Sequence, residues 1–399
     1  MRIGMLADIY TPHVSGVTNH IRLNSRFLKQ AGHEVFIFTF GDPEPGDVEE
    51  NVVRSPGVPV ADTGVYFAFS YTRTARRLIR TMDIVHAHHP FLSGRLALRY
   101  CRPYNLPVVY TNHTRYDLYA QAYLPVLPDQ IGTTFLQAYL PSFCREVDLV
   151  IAPSPGLKTV LQQIGVEAPI QVIPNGVDLE PYRRRLDPFP RSRFGVSQED
   201  VLLIFVGRLG PEKNLTFLLR SFAGAHSAYP NTSLLLVGVG PEMDNLKDLA
   251  ERIGLSDRIR FAGLVDYELI PRYLAAADAF VTASVTEVHP LSVIEAMASG
   301  LPVLGIESPG VSDSIVDGQN GLLSRDDLAS FTAKLSLLLA DAPGRRRMAL
   351  NARRSAEAYD IQQTSTMVAR EYERLHLHPP KRDLRSWRMG VRRLVDRLS

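Results

Sequence analysis

The chain is short of cysteine, of tryptophan, of net charge and of long apolar runs, and each shortage excludes something. Two cysteines, Cys101 and Cys144, in 399 residues cannot build a disulfide framework. Lys and Arg number 44 against 42 Asp and Glu, a net charge of +2. That is not the basic excess of a nucleic-acid-binding protein, so no nucleic-acid partner is expected. No apolar stretch approaches the roughly 18–20 residues that cross a bilayer. The opening run Met1-Arg2-Ile3-Gly4-Met5-Leu6-Ala7 is interrupted by Asp8 and reads as a first strand rather than a signal peptide. The expected place is the cytoplasm, free or peripheral at the inner face of the cell membrane. Two motifs are missing as well. No G-x-G-x-x-G occurs, so the dinucleotide fingerprint is absent. No D-x-D triplet occurs, so the usual carboxylate clamp for a metal-bound diphosphate is absent, and no essential metal or other cofactor is expected.

What is present is alternation. Strand-like apolar runs fall at 3–6, 35–39, 84–86, 108–111, 149–152 and 171–173, with helical spacing between them, as at 19–31 and 93–104. Buried strands alternating with helices predict a parallel α/β sheet. The alternation restarts after Pro174-Asn175-Gly176, with strands at 201–206, 233–237, 259–261, 279–282 and 302–305. The chain is long enough for about two to three domains. The division expected is 1–173, 174–358, a helix at 359–378 returning to the first domain, and a basic amphipathic tail at 379–399.

The second half holds the most informative stretch, from Thr286 through Glu287, His289, Pro290, Leu291, Ser292 and Glu295 to Val303. Apolar helical spacing begins near Leu291. Glu287 therefore lies in the loop before a helix, and Glu295 about one turn inside it. A helix start offers free N–H donors and partial positive charge, which suits a phosphate. Upstream, Phe205-Val206-Gly207-Arg208-Leu209-Gly210-Pro211-Glu212-Lys213-Asn214 runs from a strand end to a helix start. Arg208 and Lys213 would face the crevice at the strand's carboxyl end. Each charge-assisted bond to a phosphate contributes about 1.5–3 kcal/mol.

These two stretches resemble the signatures of family 4 glycosyltransferases, retaining enzymes with two Rossmann-like, doubly wound α/β domains (GT-B) facing a central cleft. Pro174-Asn175-Gly176-Val177-Asp178, Gly238-Val239-Gly240 and Phe261-Ala262-Gly263-Leu264-Val265 match in order, and the resemblance runs to about residue 375. It implies that Arg208 and Lys213 hold the diphosphate of a nucleotide sugar, Glu295 the ribose, Glu287 the sugar hydroxyls, and the backbone at Val265 the base. One departure stands out: many relatives carry glycine near position 290. Pro290 has no N–H to offer, so the amides of Leu291 and Ser292 would serve instead.

In the first half, Tyr10-Thr11-Pro12-His13-Val14-Ser15-Gly16-Val17 follows the first strand, and Gly16 permits close backbone approach. By resemblance this loop faces the donor diphosphate. His113, in Thr111-Asn112-His113-Thr114-Arg115-Tyr116-Asp117-Leu118-Tyr119, would lie near donor sugar and acceptor. His86, His88 and His89 crowd after a strand, but no carboxylate or cysteine completes a zinc spacing, so no metal is expected there. The segment 86–94 together with 113–119 is similar to the branch that glucosylates diacylglycerol, implying UDP-glucose as donor and a lipid acceptor.

An independent clue points to an anionic membrane surface. Arg73, Arg76, Arg77 and Arg80 fall on one helical face, after Tyr66, Phe67, Phe69 and Tyr71. The tail 381–399 carries seven basic residues and two acidic ones, with Leu384, Trp387, Val391, Leu394 and Leu398 at helical spacing. Three alternatives compete: transfer to a soluble or cell-envelope sugar, a sugar-nucleotide epimerase, and a non-catalytic nucleotide-sugar sensor.

Overall fold

A computed structural model describes residues 1–13, 15–60, 66–116, 118, 129–184 and 187–379, with backbone alone over 129–135. Asp117, Tyr119 and the tail 381–399 lie outside the described residues. The chain divides into two compact units. Unit 1 comprises Met1–Ala152, Leu161–Ile173 and the segment from Ser365; unit 2 comprises Pro153–Val160 and Pro174–Thr364.

In unit 1 the strands are β1 (Arg2–Leu6), β2 (Glu34–Phe40), β3 (Val52–Ser55), β4 (Val58–Pro59), β5 (Tyr66–Phe67), β6 (Ile84–Ala87), β7 (Val108–Thr111), β8 (Leu149–Ala152) and β9 (Ile170–Val172). Seven of them form a parallel sheet in the order β3-β2-β1-β6-β7-β8-β9. A parallel sheet is covered on both faces, so its central strands must be apolar throughout. Every residue of β6, β7 and β8 is buried accordingly. β4 and β5 stand apart as a small antiparallel pair. The core gathers Ile3, Met5, Ile84, Val109 and Ile151, and it takes Val368, Tyr372 and Leu375 from the helix Ile361–Leu377. Burying each such side chain contributes about 1.5–3 kcal/mol. Tyr372 is tied further, its hydroxyl 2.5 Å from Nδ1 of the buried His86.

Unit 2 repeats the plan with β10 (Val201–Val206), β11 (Thr232–Val237), β12 (Ile259–Gly263), β13 (Ala279–Val281), β14 (Val303–Ile306) and β15 (Gly321–Ser324). The order is β12-β11-β10-β13-β14-β15, again parallel. In both sheets the chain builds outward in one direction and then jumps back. The reversal falls between β1 and β6 in unit 1 and between β10 and β13 in unit 2. At such a reversal adjacent loops diverge to opposite faces and leave a crevice at the strand carboxyl ends.

The long helical stretch after residue 341 is two helices, Ala342–Ala356 and Ile361–Leu377, separated by a 3-10 turn at Glu357–Tyr359. Strands β3 and β15 and the β4–β5 pair add to the elements read from sequence.

Candidate active site

The reversal in unit 2 brings together the loops after β10 and β13. The first carries Arg208 and then the 3-10 turn Pro211–Lys213. Asn214 follows in a left-handed conformation (φ 52°) and launches the helix Leu215–His226. The second loop carries Thr286 and Glu287 and leads into the helix Leu291–Ala298. They are stitched together: the hydroxyls of Ser284 and Thr286 donate to the Glu212 carbonyl at 3.2 and 3.4 Å. Lys213 Nζ meets Glu287 Oε1 at 2.5 Å, both side chains about one-fifth exposed. Arg208 reaches Glu212 at 3.3 Å, but its side chain stays 64% exposed. Two cations and Glu287, distant in sequence, thus share one corner.

The helix Leu291–Ala298 follows that loop directly. Pro290 is its N-cap residue, and among the described residues no side chain caps it. The amides of Leu291 and Ser292 precede the bond that Val293 N–H donates to the Pro290 carbonyl at 3.2 Å. The loop before it is held from behind. Asn175 donates to the His289 carbonyl at 2.9 Å, and Gly310 (φ 86°) packs so closely on Glu287 that a Cβ there would lie 2.4 Å from its carbonyl oxygen. His289 itself is buried, its imidazole pushed down to about 4 by burial, edge-on to Tyr359 at 4.9 Å. It reads as a packing residue.

Glu295 lies deeper in the same helix and is buried. Desolvation raises its carboxyl to about 7, opposed by the hydrogen bond that the Tyr267 hydroxyl donates at 2.7 Å. Tyr267 follows the loop that carries Val265 after β12, and Val265 packs on the same core. Tyr267 was not singled out from sequence. Its position two residues after Val265 is the signal that could have found it. The loops after β10, β11 and β12 are knitted by Gly207 N–H to the Val237 carbonyl and Gly238 N–H to the Gly263 carbonyl. Gly238 (φ 136°) has no room for a Cβ, which would lie 2.0 Å from the Gly207 oxygen.

In unit 1 the reversal gathers the loops after β1, β6 and β7. Ser15 caps the helix Gly16–Gln30 by accepting from Thr18 N–H at 3.1 Å. A Cβ built on Gly16 would meet nothing within 4 Å among the described residues, which therefore make no demand for glycine there. One turn along, His20 brings its ring 4.7 Å from that of His113, which follows β7. His113 Nε2 lies 3.0 Å from Nδ1 of His88, which follows β6. Burial and neighbouring imidazoles push both His88 and His113 well below the usual histidine range, so both are neutral.

The three crowded histidines are therefore sorted rather than gathered. His86 spends its ring nitrogens on Tyr372 and on Thr111 (2.7 Å), and His89 Nδ1 accepts the Asp8 N–H at 3.1 Å. His88 alone joins His20 and His113. His20 was not anticipated, because only the fold brings the second turn of its helix to the rings of His88 and His113.

The aromatic-arginine reading needs two corrections, at Tyr71 and at Arg76, which is half-buried with its guanidinium 6.0 Å from the Tyr100 ring. Tyr71 is core, stacked on Phe40 at 4.7 Å, because its segment turns inward before the helix Arg73–Ile79. Phe67 and Phe69 are exposed and pack edge-to-face at 4.8 Å, with Val58 exposed beside Phe67's strand. Arg73, Arg77 and Arg80 are exposed, and Arg80 lies over Tyr104 at 4.7 Å.

Comparison with known proteins agrees with this geometry. Residues 14–181 match the model of Glycosyltransferase Family 4, and residues 189–355 match Glycosyl transferases group 1. An alpha-monoglucosyldiacylglycerol synthase of Streptococcus pneumoniae is 31% identical over 358 residues, 85% of this chain and 79% of the relative. A D-inositol 3-phosphate glycosyltransferase of Nocardia farcinica is 29% identical over 394 residues, covering 92% and 86%. Among solved structures, Anabaena HepE in complex with UDP and glucose superposes with a TM-score of 0.76 at 20% identity, covering 94% of this chain and all of that one. From the two matched halves and the relative at 31% identity, the chain belongs to the family 4 glycosyltransferases, with the GT-B fold, near the diacylglycerol glucosyltransferase branch.

Proposed function

We propose that this glycosyltransferase transfers a hexose, glucose from UDP-glucose, to a lipid acceptor such as diacylglycerol, with retention at the anomeric carbon. The observation that carries the reading is the Lys213–Glu287 contact at 2.5 Å, beside a helix start that no described side chain caps. A diphosphate entering that corner would take Lys213, Arg208 and the amides of Leu291 and Ser292. Glu287, relieved of Lys213, would turn to the sugar hydroxyls. Glu295 would accept from the ribose hydroxyls in place of Tyr267, and the backbone at Val265 would meet the base.

Charge builds on the leaving diphosphate as the glycosidic bond breaks, and preorganised cations and amides lower that barrier without a metal. The departing phosphate oxygen would accept the acceptor's proton, giving front-face attack. Gly16 would leave room for the donor phosphates, and His113, neutral, would contact sugar or acceptor.

Two relatives named alpha-monoglucosyldiacylglycerol synthase support the glucose and the lipid. The exposed Val58, Phe67 and Phe69, with Arg73, Arg77 and Arg80, support a peripheral position at an anionic bilayer. The inositol-phosphate relative, which matches over a larger share of this chain, favours a second reading in which the acceptor is a soluble polar molecule.

The test is donor turnover across nucleotide sugars, with chelator, with and without diacylglycerol vesicles. Stimulation by vesicles with UDP-glucose supports the lipid reading. Turnover only with a soluble acceptor moves the assignment to the second reading, and intact donor under every condition sinks both.

A further inference from the structure

Histidines are scattered along the first unit, yet the sheet reversal draws three of them to one point. His20 comes from the second turn of the helix after β1, His88 from the end of β6 and His113 from the end of β7. One ring nitrogen from each lies within 4.8 Å of the others. Ligands at about 2.0–2.1 Å from a tetrahedral zinc sit about 3.3 Å apart. The His88–His113 pair, at 3.0 Å, is close to that spacing, and His20, whose ring nitrogens lie 3.5 and 3.3 Å from the Asn24 amide nitrogen, would turn from Asn24 to supply the third ligand.

We propose that His20, His88 and His113 form a binding site for a late first-row divalent ion, zinc above all, with the fourth position open on the side of the partly exposed His113. The contrast with the adjacent histidines supports it. His86 has both ring nitrogens engaged by hydroxyls, and His89 accepts a backbone N–H. His88 is fully buried, its Nε2 has no hydrogen-bond partner among the described residues, and its Nδ1 meets another imidazole. An ion held by Nδ1 of His88 and Nε2 of His113 would take the two lone pairs that these neighbouring imidazoles now turn towards each other. Three imidazoles with no carboxylate or thiolate in the set select zinc, nickel or copper over magnesium or calcium.

Three protein ligands and one free position is the arrangement of an accessible rather than a structural zinc site. The ion would occupy the nitrogen of His113. If His113 contacts sugar or acceptor, as assigned above, metal entry inhibits transfer; this consequence rests on that assignment, while the site itself does not.

The experiment is a cobalt(II) titration of the chelator-stripped full chain, read by visible absorption, repeated on His20→Ala and His88→Ala. One equivalent of cobalt should give the intense bands of a four-coordinate site, and zinc should bleach them. Loss of an outer-shell partner alone weakens metal sites about 10–100-fold, so removal of a ligand should weaken binding by about 100-fold or more. Weak six-coordinate absorption in the wild type overturns the proposal, as does unchanged affinity in a folded His20→Ala chain. Circular dichroism establishes folding, and the wild-type spectrum decides the matter if a variant does not fold. Turnover measured against zinc separates the two readings. Bleachable cobalt binding without inhibition keeps the site and removes His113 from the reaction. Inhibition that His20→Ala abolishes supports both.

Discussion

The crevices of the two units have the same origin in topology and opposite chemistry. At the β10/β13 reversal stand Arg208, Lys213, Glu212 and Glu287, paired and partly wet. At the β1/β6 reversal stand imidazoles packed ring against ring, His88 and His113 among them held neutral by burial. The first suits a ligand that arrives charged and leaves more charged. The second suits a neutral hydroxyl, or an ion that wants imidazole. A shared fold dictates where a ligand can lie, and the side chains at the strand ends dictate which one.

The comparison is broken most directly in unit 2. Lys213→Ala and Glu287→Ala are each expected to lower kcat by about 100-fold or more, the scale of losing a transition-state donor. A partly exposed ion pair contributes only about 1 kcal/mol or less to stability, so thermal unfolding should shift by a few degrees at most. Normal turnover in both variants would remove the charged corner from the chemistry.

A pH series sharpens the contrast. Glu295 is raised to about 7 by burial, so the fold favours its protonated form. The stability it contributes to the free protein is present in acid and is lost as pH rises through about 7. Donor binding that uses its carboxylate runs the other way and weakens below about 7. Glu295→Gln should flatten the unfolding midpoint against pH and weaken the donor about tenfold at pH 8, the loss of one charge-assisted bond. A wild-type midpoint that ignores pH between 5 and 8 contradicts the assignment.

In unit 1, Phe67→Ser with Phe69→Ser should release the protein from anionic vesicles several-fold while leaving donor hydrolysis in solution unchanged, measured by co-sedimentation. The smallest effect is expected at Gly16. Because a Cβ there meets no atom of the described residues within 4 Å, Gly16→Ala should leave the unfolding midpoint within a degree or two while raising the donor KM. A fall in stability would mean that the fold, not a ligand, needs this glycine.

Much of this was legible in the chain. The central strands are apolar on both faces, so runs such as 84–86 and 149–152 could be nothing else. The helix at Leu291 announced itself by spacing and began at that residue. The edges were harder. β3 is half-buried and carries an arginine, and β15 is a brief Gly-Leu-Leu-Ser run, neither long enough to show a period. At the sites, sequence order misled where tertiary contact decides. Three neighbouring histidines proved to have three different partners, and His20 joined from the helix Gly16–Gln30. Tyr71 read as surface because it follows exposed aromatics, yet it stacks beneath Phe40. Tyr267 stands two residues after Val265 in sequence, but only the fold shows that its hydroxyl meets Glu295.

The helix Ile361–Leu377 carries one last consequence. Its Val368, Tyr372 and Leu375 complete a core begun by Ile3 and Met5. During translation the first unit must therefore wait, unfinished, until residues 361–377 have left the ribosome. The second unit's residues have all emerged by then. A fragment ending at residue 173 would lack that cover, leaving His86 Nδ1 without the Tyr372 hydroxyl and an apolar floor open to aggregation.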